Sequence, residues 1–208
     1  CSFASSRWNG DVLLLTRIQW NLDHLEFRGA RLGLGSLLSF KAARINGNTI
    51  SFEETVFLTP SIAFGWASFT ARDAIRFDRV DWEGEISGNG LKLNSPVVSF
   101  RGAHFGGKSL ELTSSRIEAN LFDASQTEFV SSRVSFSNAR LRVGTVDFQK
   151  SLFGGNHVYF HRLLWSGDSF LISDAKVSAR RFSFNRSVIH GRQFDLRDSD
   201  LGGCQVSF

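Results

Sequence analysis

A twelve-residue period runs from Leu38 to Phe208 almost without an insertion, and resumes one residue out of step back to Cys1. A chain that repeats one short unit has to stack copies of one supersecondary element, each burying its apolar face against its neighbours. Steps of twelve from Phe40 reach Phe52, Phe64, Arg76, Gly88, Phe100, Leu112, Ala124, Phe136, Phe148, Phe160, Ile172, Phe184, Leu196 and Phe208. Only Arg76 and Gly88 are not apolar. A second column, five residues later, runs Ile45, Phe57, Phe69, Asp81, Leu93, Phe105 and on to Leu201, and Asp81 alone breaks it. Both columns fail in one stretch, where Phe77, Val80 and Trp82 lie one place late and Ile86 is back in phase. A local bulge produces that pattern. Upstream, the single extra residue Leu37 accounts for the change of phase.

The unit from Val98 to Ser109 serves as a model, with its residues numbered as places one to twelve. Apolar or small residues hold places one, three, six, eight and ten. Alternation by two specifies β-strand, whereas a helix requires spacings of three and four. The switch from odd to even at places four and five marks a corner, and the last two places mark another. Place six is small, as at Ala43, Thr55, Ala103, Ser115, Thr127 and Ser151, and place ten is Gly or Ala at Gly47, Ala71, Gly107, Gly155 and Gly167. Small residues there allow the backbone to turn tightly against the core.

Equal spacing with few insertions is what parallel coils require, because an insertion throws every later side chain out of its stack. A twelve-residue coil would have to enclose two large side chains at every level. Facing sheets stand only about 10 Å apart, so the expected fold is an all-β parallel β-helix, a β-solenoid with two units per coil. At about 4.8 Å per level this makes a rod on the order of 40 Å long. The unbroken repeat makes residues 1–208 one repeat domain. With no initiating Met and both ends in repeat phase, the expectation is a piece of a longer solenoid whose polar caps are missing. The open ends are then candidates for self-association.

The segments FRGARLG (Phe27 to Gly33), FRGAHFGG (Phe100 to Gly107), FSNARL (Phe136 to Leu141) and LRDSDLGG (Leu196 to Gly203) resemble pentapeptide repeats, in which a central Leu or Phe follows a small residue by two. The resemblance implies a right-handed quadrilateral β-helix. Here the steps are five and seven rather than five and five.

Twenty-one Phe with no Met, two Pro and one Tyr reflect duplication of one repeat position. No run of eighteen apolar residues exists, so no transmembrane helix is expected. Two Cys at opposite ends give no disulfide framework. Cys1 falls in a core column and is expected as a small core residue, although Ser2 after it also suits a lipidated first residue of a bacterial lipoprotein. Cys204 is expected in a turn as an exposed thiol.

Three constellations carry candidate chemistry. Place seven holds Arg7, Arg31, Arg44, Lys92, His104, Arg116, Arg140 and Lys176, interrupted by Glu128 and Asp200. In a solenoid such a column becomes an outward stripe that can hold an anionic glycan or other polyanion through many weak contacts. Its other reading is strand-face charge that pairs locally, Arg116 with Glu128 for instance. At place two, Asp123 and Asp147 stack one level apart if a coil holds two units, and Asp195, Asp198 and Asp200 form a second acidic cluster. β-helix enzymes that cleave acidic polysaccharides place carboxylates this way, but outward Asp also simply solvates a sheet. His157 and His161 are four apart, a zinc spacing for a helix rather than a strand, and neither a metal nor a cofactor is expected. The Gly pairs Gly106–Gly107, Gly154–Gly155 and Gly202–Gly203 read as turn chemistry.

The leading expectation is a non-enzymatic structural, adhesive or binding solenoid with a weakly basic face, in a secreted, cell-surface or cell-envelope setting. An alternative runs the strands antiparallel as an open sheet whose Phe columns line a groove for lipid carried between membranes. A further alternative is a polysaccharide-degrading enzyme using Asp123 and Asp147.

Overall fold

The computed structural model describes all of residues 1–208 and contains strands and turns without a helix. No helix is long and apolar enough to cross a membrane. The strands are parallel and stack as a β-solenoid of about 8 turns at about 24-residue spacing. Arg116 pairs with Arg140 and Ile117 with Leu141, the same place one coil apart. Two twelve-residue units therefore make one coil, and at the corner of each unit the chain crosses between a 15-stranded and a 12-stranded sheet, as from Val98–Ser99 to His104–Phe105.

Each unit turns at the expected corner, and the turn has a definite chemistry. The carbonyl of place three accepts the amide of place six, as in Ala43 N to Phe40 O at 2.9 Å and Ala103 N to Phe100 O at 3.0 Å. The residue between, at place five, has a left-handed backbone: φ is 57° at Ala42, 58° at Ser114 and 59° at Lys150. That is the geometry of a type II turn, in which the third residue needs φ above zero. Place five is a non-glycine residue at most corners. The solenoid thus holds a cost of roughly 1 kcal/mol or more at each, which packing has to offset.

Small residues at place six have a second role wherever they carry a hydroxyl. Thr55 Oγ1 donates to Phe27 O and Thr127 Oγ1 to Phe100 O, both at 2.8 Å, and Ser151 Oγ donates to Ala124 O at 2.7 Å. These buried hydroxyls tie each corner to a corner carbonyl of the coil below. At place ten, small size answers backbone proximity. A Cβ on Gly155 would stand 1.8 Å from Ser131 O, and one on Gly167 the same distance from Val143 O.

Inward columns become aromatic stacks. Phe27, Phe52, Phe77 and Phe100 lie with ring centroids 5.0, 5.0 and 4.8 Å apart and nearly parallel. Phe57, Trp82, Phe105, Phe129 and Phe153 make a second stack, with spacings of 4.5, 5.3, 5.4 and 5.0 Å. Each such pair adds about 0.5–1.5 kcal/mol beyond the area it buries. The columns face one another across a single continuous core. The apolar void among Phe100, Phe105, Phe122 and Phe129 measures about 10 Å³, with no room for an acyl chain. Because the strands pair in parallel throughout, the antiparallel open sheet does not form.

The phase fault is resolved into two compensating events. Thr49 pairs with Ala74 although Gly47 pairs with Ala71, so Arg72 and Asp73 carry one extra residue. Val56–Phe57 then pairs 25 residues on with Asp81–Trp82, while Ile62 pairs with Ile86 at 24, so one residue has been dropped at Glu83–Gly84. The offset takes Asp81 out of the core column and puts Trp82 in its place, 2% exposed. The upstream change of phase lies at Gly35 and Ser36, opposite Asp11, and not at Leu37, which is in register with Val12 and Ser61.

Cys1 is exposed rather than in the core, with its amino group donating to His24 O at 2.6 Å. Cys204 is half-buried against the core rather than exposed, and burial pushes its thiol pKa up.

Candidate functional site

The basic residues of place seven do not form one stripe. Since a unit is half a coil, consecutive members of the column fall on different faces. One outward ladder runs Gln19, Arg44, Ser68, Lys92, Arg116, Arg140, Leu164 and Val188. The other runs Arg7, Arg31, Val56, Asp81, His104, Glu128, Leu152, Lys176 and Asp200. Arg7 and Arg31 are thus neighbours at one end of the second ladder, and Lys176 stands alone near its far end.

The first ladder holds the concentrated charge. Lys92, Arg116 and Arg140 occupy three successive levels, and Arg44 lies two levels below Lys92 with Ser68 between. Alternation along the strand places Glu118 and Arg142 on the same face. Arg116 meets Glu118 at 2.5 Å, and Arg142 approaches the same carboxylate oxygen at 3.7 Å. The expected pair of Arg116 with Glu128 is absent, because Glu128 lies on the other ladder and bonds His104 at 3.0 Å. One carboxylate is thus shared between two arginines, leaving Lys92 and Arg140 unpaired. Beyond Arg140 and Arg142 the face opens into a depression of about 330 Å³ that includes the exposed Leu164 and Val188.

Sequence reasoning missed a second polar hollow, of about 440 Å³, lined by Ser137, Asn138, His161, Arg162, Asn185 and Arg186. These are places four and five of three successive coils, so corner residues also align when read every 24 positions. His161 Nε2 bonds Ser183 Oγ at 2.9 Å, and burial lowers its pKa. His157 and His161 lie on either side of Tyr159, with ring centroids 5.5 and 4.6 Å from it.

Asp123 and Asp147 are in register one coil apart, as expected. Their carboxylates are engaged, however. Asp123 Oδ1 accepts the Ser125 amide at 2.9 Å, and Asp147 Oδ1 accepts the Gln149 amide at 2.8 Å. Ser39, Ser51 and Ser135 make the same bond to the residue two ahead, so place two generally caps the left-handed corner. Burial raises the pKa of Asp147, and the Asp123 charge adds to the shift. Asp195 also caps, accepting the Arg197 amide, and the Arg197 guanidinium beside it holds its carboxyl at about 2. Asp198 and Asp200 do not join it: Asp198 is a corner residue and Asp200 accepts the Gly202 amide.

Fold and surface together define a parallel β-solenoid with a basic ladder on one outer face. No family model, no curated protein and no solved structure matches the chain.

Proposed function

We propose that this protein is a non-enzymatic binding or structural β-solenoid that holds an acidic glycan or comparable polyanion along the Lys92, Arg116 and Arg140 ladder. The observation that carries the reading is the alignment of these three cations on consecutive levels of one sheet, with Arg142 beside them and a single carboxylate among them. Levels about 4.8 Å apart present a row of charge to an extended polymer, which gains affinity by releasing its counterions. Leu164 and Val188 continue the ladder as an apolar floor on which the faces of sugar rings can rest. A cell-surface or secreted adhesive role is consistent with such a ligand.

Kinship with pentapeptide-repeat β-helices, and with it right-handed coiling, is supported by the Phe-x-x-Ala corner, seen at Phe40–Ala43, Phe64–Ala67 and Phe136–Ala139. The bonded state of Asp123 and Asp147 favours a turn-capping role over acid and base work.

The test is binding to an immobilised sulfated or uronate polysaccharide at several salt concentrations. Arg116→Glu with Arg140→Glu should weaken binding by about tenfold or more and flatten its salt dependence. Unchanged affinity and unchanged salt slope would remove the basic ladder from the function.

A further inference from the structure

We propose that Asp81, Glu83 and His104 form a binding site for a divalent transition-metal ion of the Zn²⁺ type. The site lies on the second outward ladder, on the face opposite in repeat phase to the basic run.

Three features converge here. His104 pairs with Asp81 across adjacent coils, and Glu83 is two residues on from Asp81, so all three side chains leave the same face while Trp82 between them turns inward. One ligand atom from each lies within 4.8 Å of the others. Bonds of about 2.1 Å to one ion bring tetrahedral ligand atoms to about 3.4 Å apart, a closure that rotation of the exposed Glu83 and half-buried Asp81 side chains supplies. Second, His104 Nδ1 is held by Glu128 Oε2 at 3.0 Å. A carboxylate on Nδ1 fixes the tautomer that leaves Nε2 free to bind a metal, the usual arrangement behind a metal-bound imidazole. Third, the position next to Nε2 has been kept empty. A Cβ on Gly106 would stand 2.7 Å from His104 Nε2 and 3.3 Å from Glu83 Oε2, so any side chain there would fill the space an ion requires.

The phase fault explains why the site occurs once in the repeat. The extra residue at Arg72–Asp73 rotates Asp81 from an inward to an outward place, and the residue dropped at Glu83–Gly84 restores the register beyond it. One nitrogen and two carboxylate oxygens are a borderline donor set suited to Zn²⁺, with the remaining coordination left to water or to a ligand.

The experiment is a calorimetric titration of chelator-treated, full-length protein with ZnCl₂, alongside His104→Gln, Asp81→Asn and Glu128→Gln, with circular dichroism to confirm that each variant keeps its strands. One saturable site is expected, weakened at least tenfold in His104→Gln and Asp81→Asn and about tenfold in the positioning variant Glu128→Gln. The His104 ring resonances of wild-type protein should shift in step with the titration. No saturable binding, stoichiometric binding that survives His104→Gln, or an imidazole signal that does not move as Zn²⁺ binds would each overturn the site.

Discussion

Asp147 stands directly above Asp123 in the β-ladder, yet each carboxylate is turned to the backbone amide two residues ahead of it. Stacking and capping are thus separate consequences of occupying place two. The burial that raises the pKa of Asp147 has a stability consequence of definite sign. A carboxyl that holds its proton more tightly when folded penalises the folded state as pH rises above its unfolded pKa, about 3.9. Asp147→Asn preserves an oxygen acceptor for the Gln149 amide and removes the charge. It should raise the thermal midpoint at pH 7, with the gain vanishing below about pH 3.5. Asp147→Ala loses the cap and should lie about 1 kcal/mol below Asn. A midpoint lowered by Asn at pH 7 would contradict the burial penalty on the charge, and an Ala variant as stable as Asn would contradict the capping role.

Asp195 titrates with the opposite sign. With its pKa held at about 2 by Arg197, it contributes stability at all pH values above its unfolded pKa and loses it as pH falls towards 2. Arg197→Gln should therefore lower the midpoint at pH 6 and leave it nearly unchanged at pH 2. Equal effects at both values would mean that the side chain acts through packing rather than charge.

The left-handed corners give a prediction about backbone alone. Ser114 is exposed and has φ of 58°. Ser114→Gly relieves the steric cost and adds chain entropy to the unfolded state, two terms of about 1 kcal/mol that nearly cancel. Ser114→Val places a β-branched side chain in the same conformation and should lose about 1–2 kcal/mol more. Denaturant titration of both variants tests this, and a Val variant as stable as Gly would show that the corner does not hold the left-handed turn.

At the place-ten glycines Gly155 and Gly167 the backbones of adjacent coils approach each other so closely that an added side chain displaces them. Gly167→Ala sets a methyl 1.8 Å from Val143 O, against backbone that cannot rotate away. A loss of about 1–3 kcal/mol is expected from overpacking. Gly65→Ala meets nothing nearer than 3.8 Å and should cost less than half as much.

Much of this architecture was legible in the sequence because every level repeats the same demands. The Phe columns announce the core, the small residues of places six and ten announce the tight approaches, and the displaced Phe77, Val80 and Trp82 announce the bulge. Lateral relations were not legible. Arg31 and Arg44 look like successive members of one column, but a 24-residue coil sends them to different sheets, and their neighbours in space are Arg7 and Ser68. The same alternation removes Glu128 from Arg116 and gives it to His104. The hydroxyl bonds of Thr55 and Thr127 were hidden for another reason, since their acceptors are backbone carbonyls, which no side-chain pattern records. The candidate metal site escaped notice because Asp81 reads as a core position until the bulge is placed.

All of these relations rest on two units per coil, and the distance between two spin labels measures that number directly. Labels at Arg44→Cys and Arg140→Cys, with Cys1→Ser and Cys204→Ser, lie on one ladder four levels apart, which corresponds to about 19 Å at 4.8 Å per level. A distance distribution centred near that value, broadened only by the label linkers, is the expected result. A centre near about 38 Å, the span of eight twelve-residue levels at the same rise, would contradict the coil, the two ladders and the site assignments built on them.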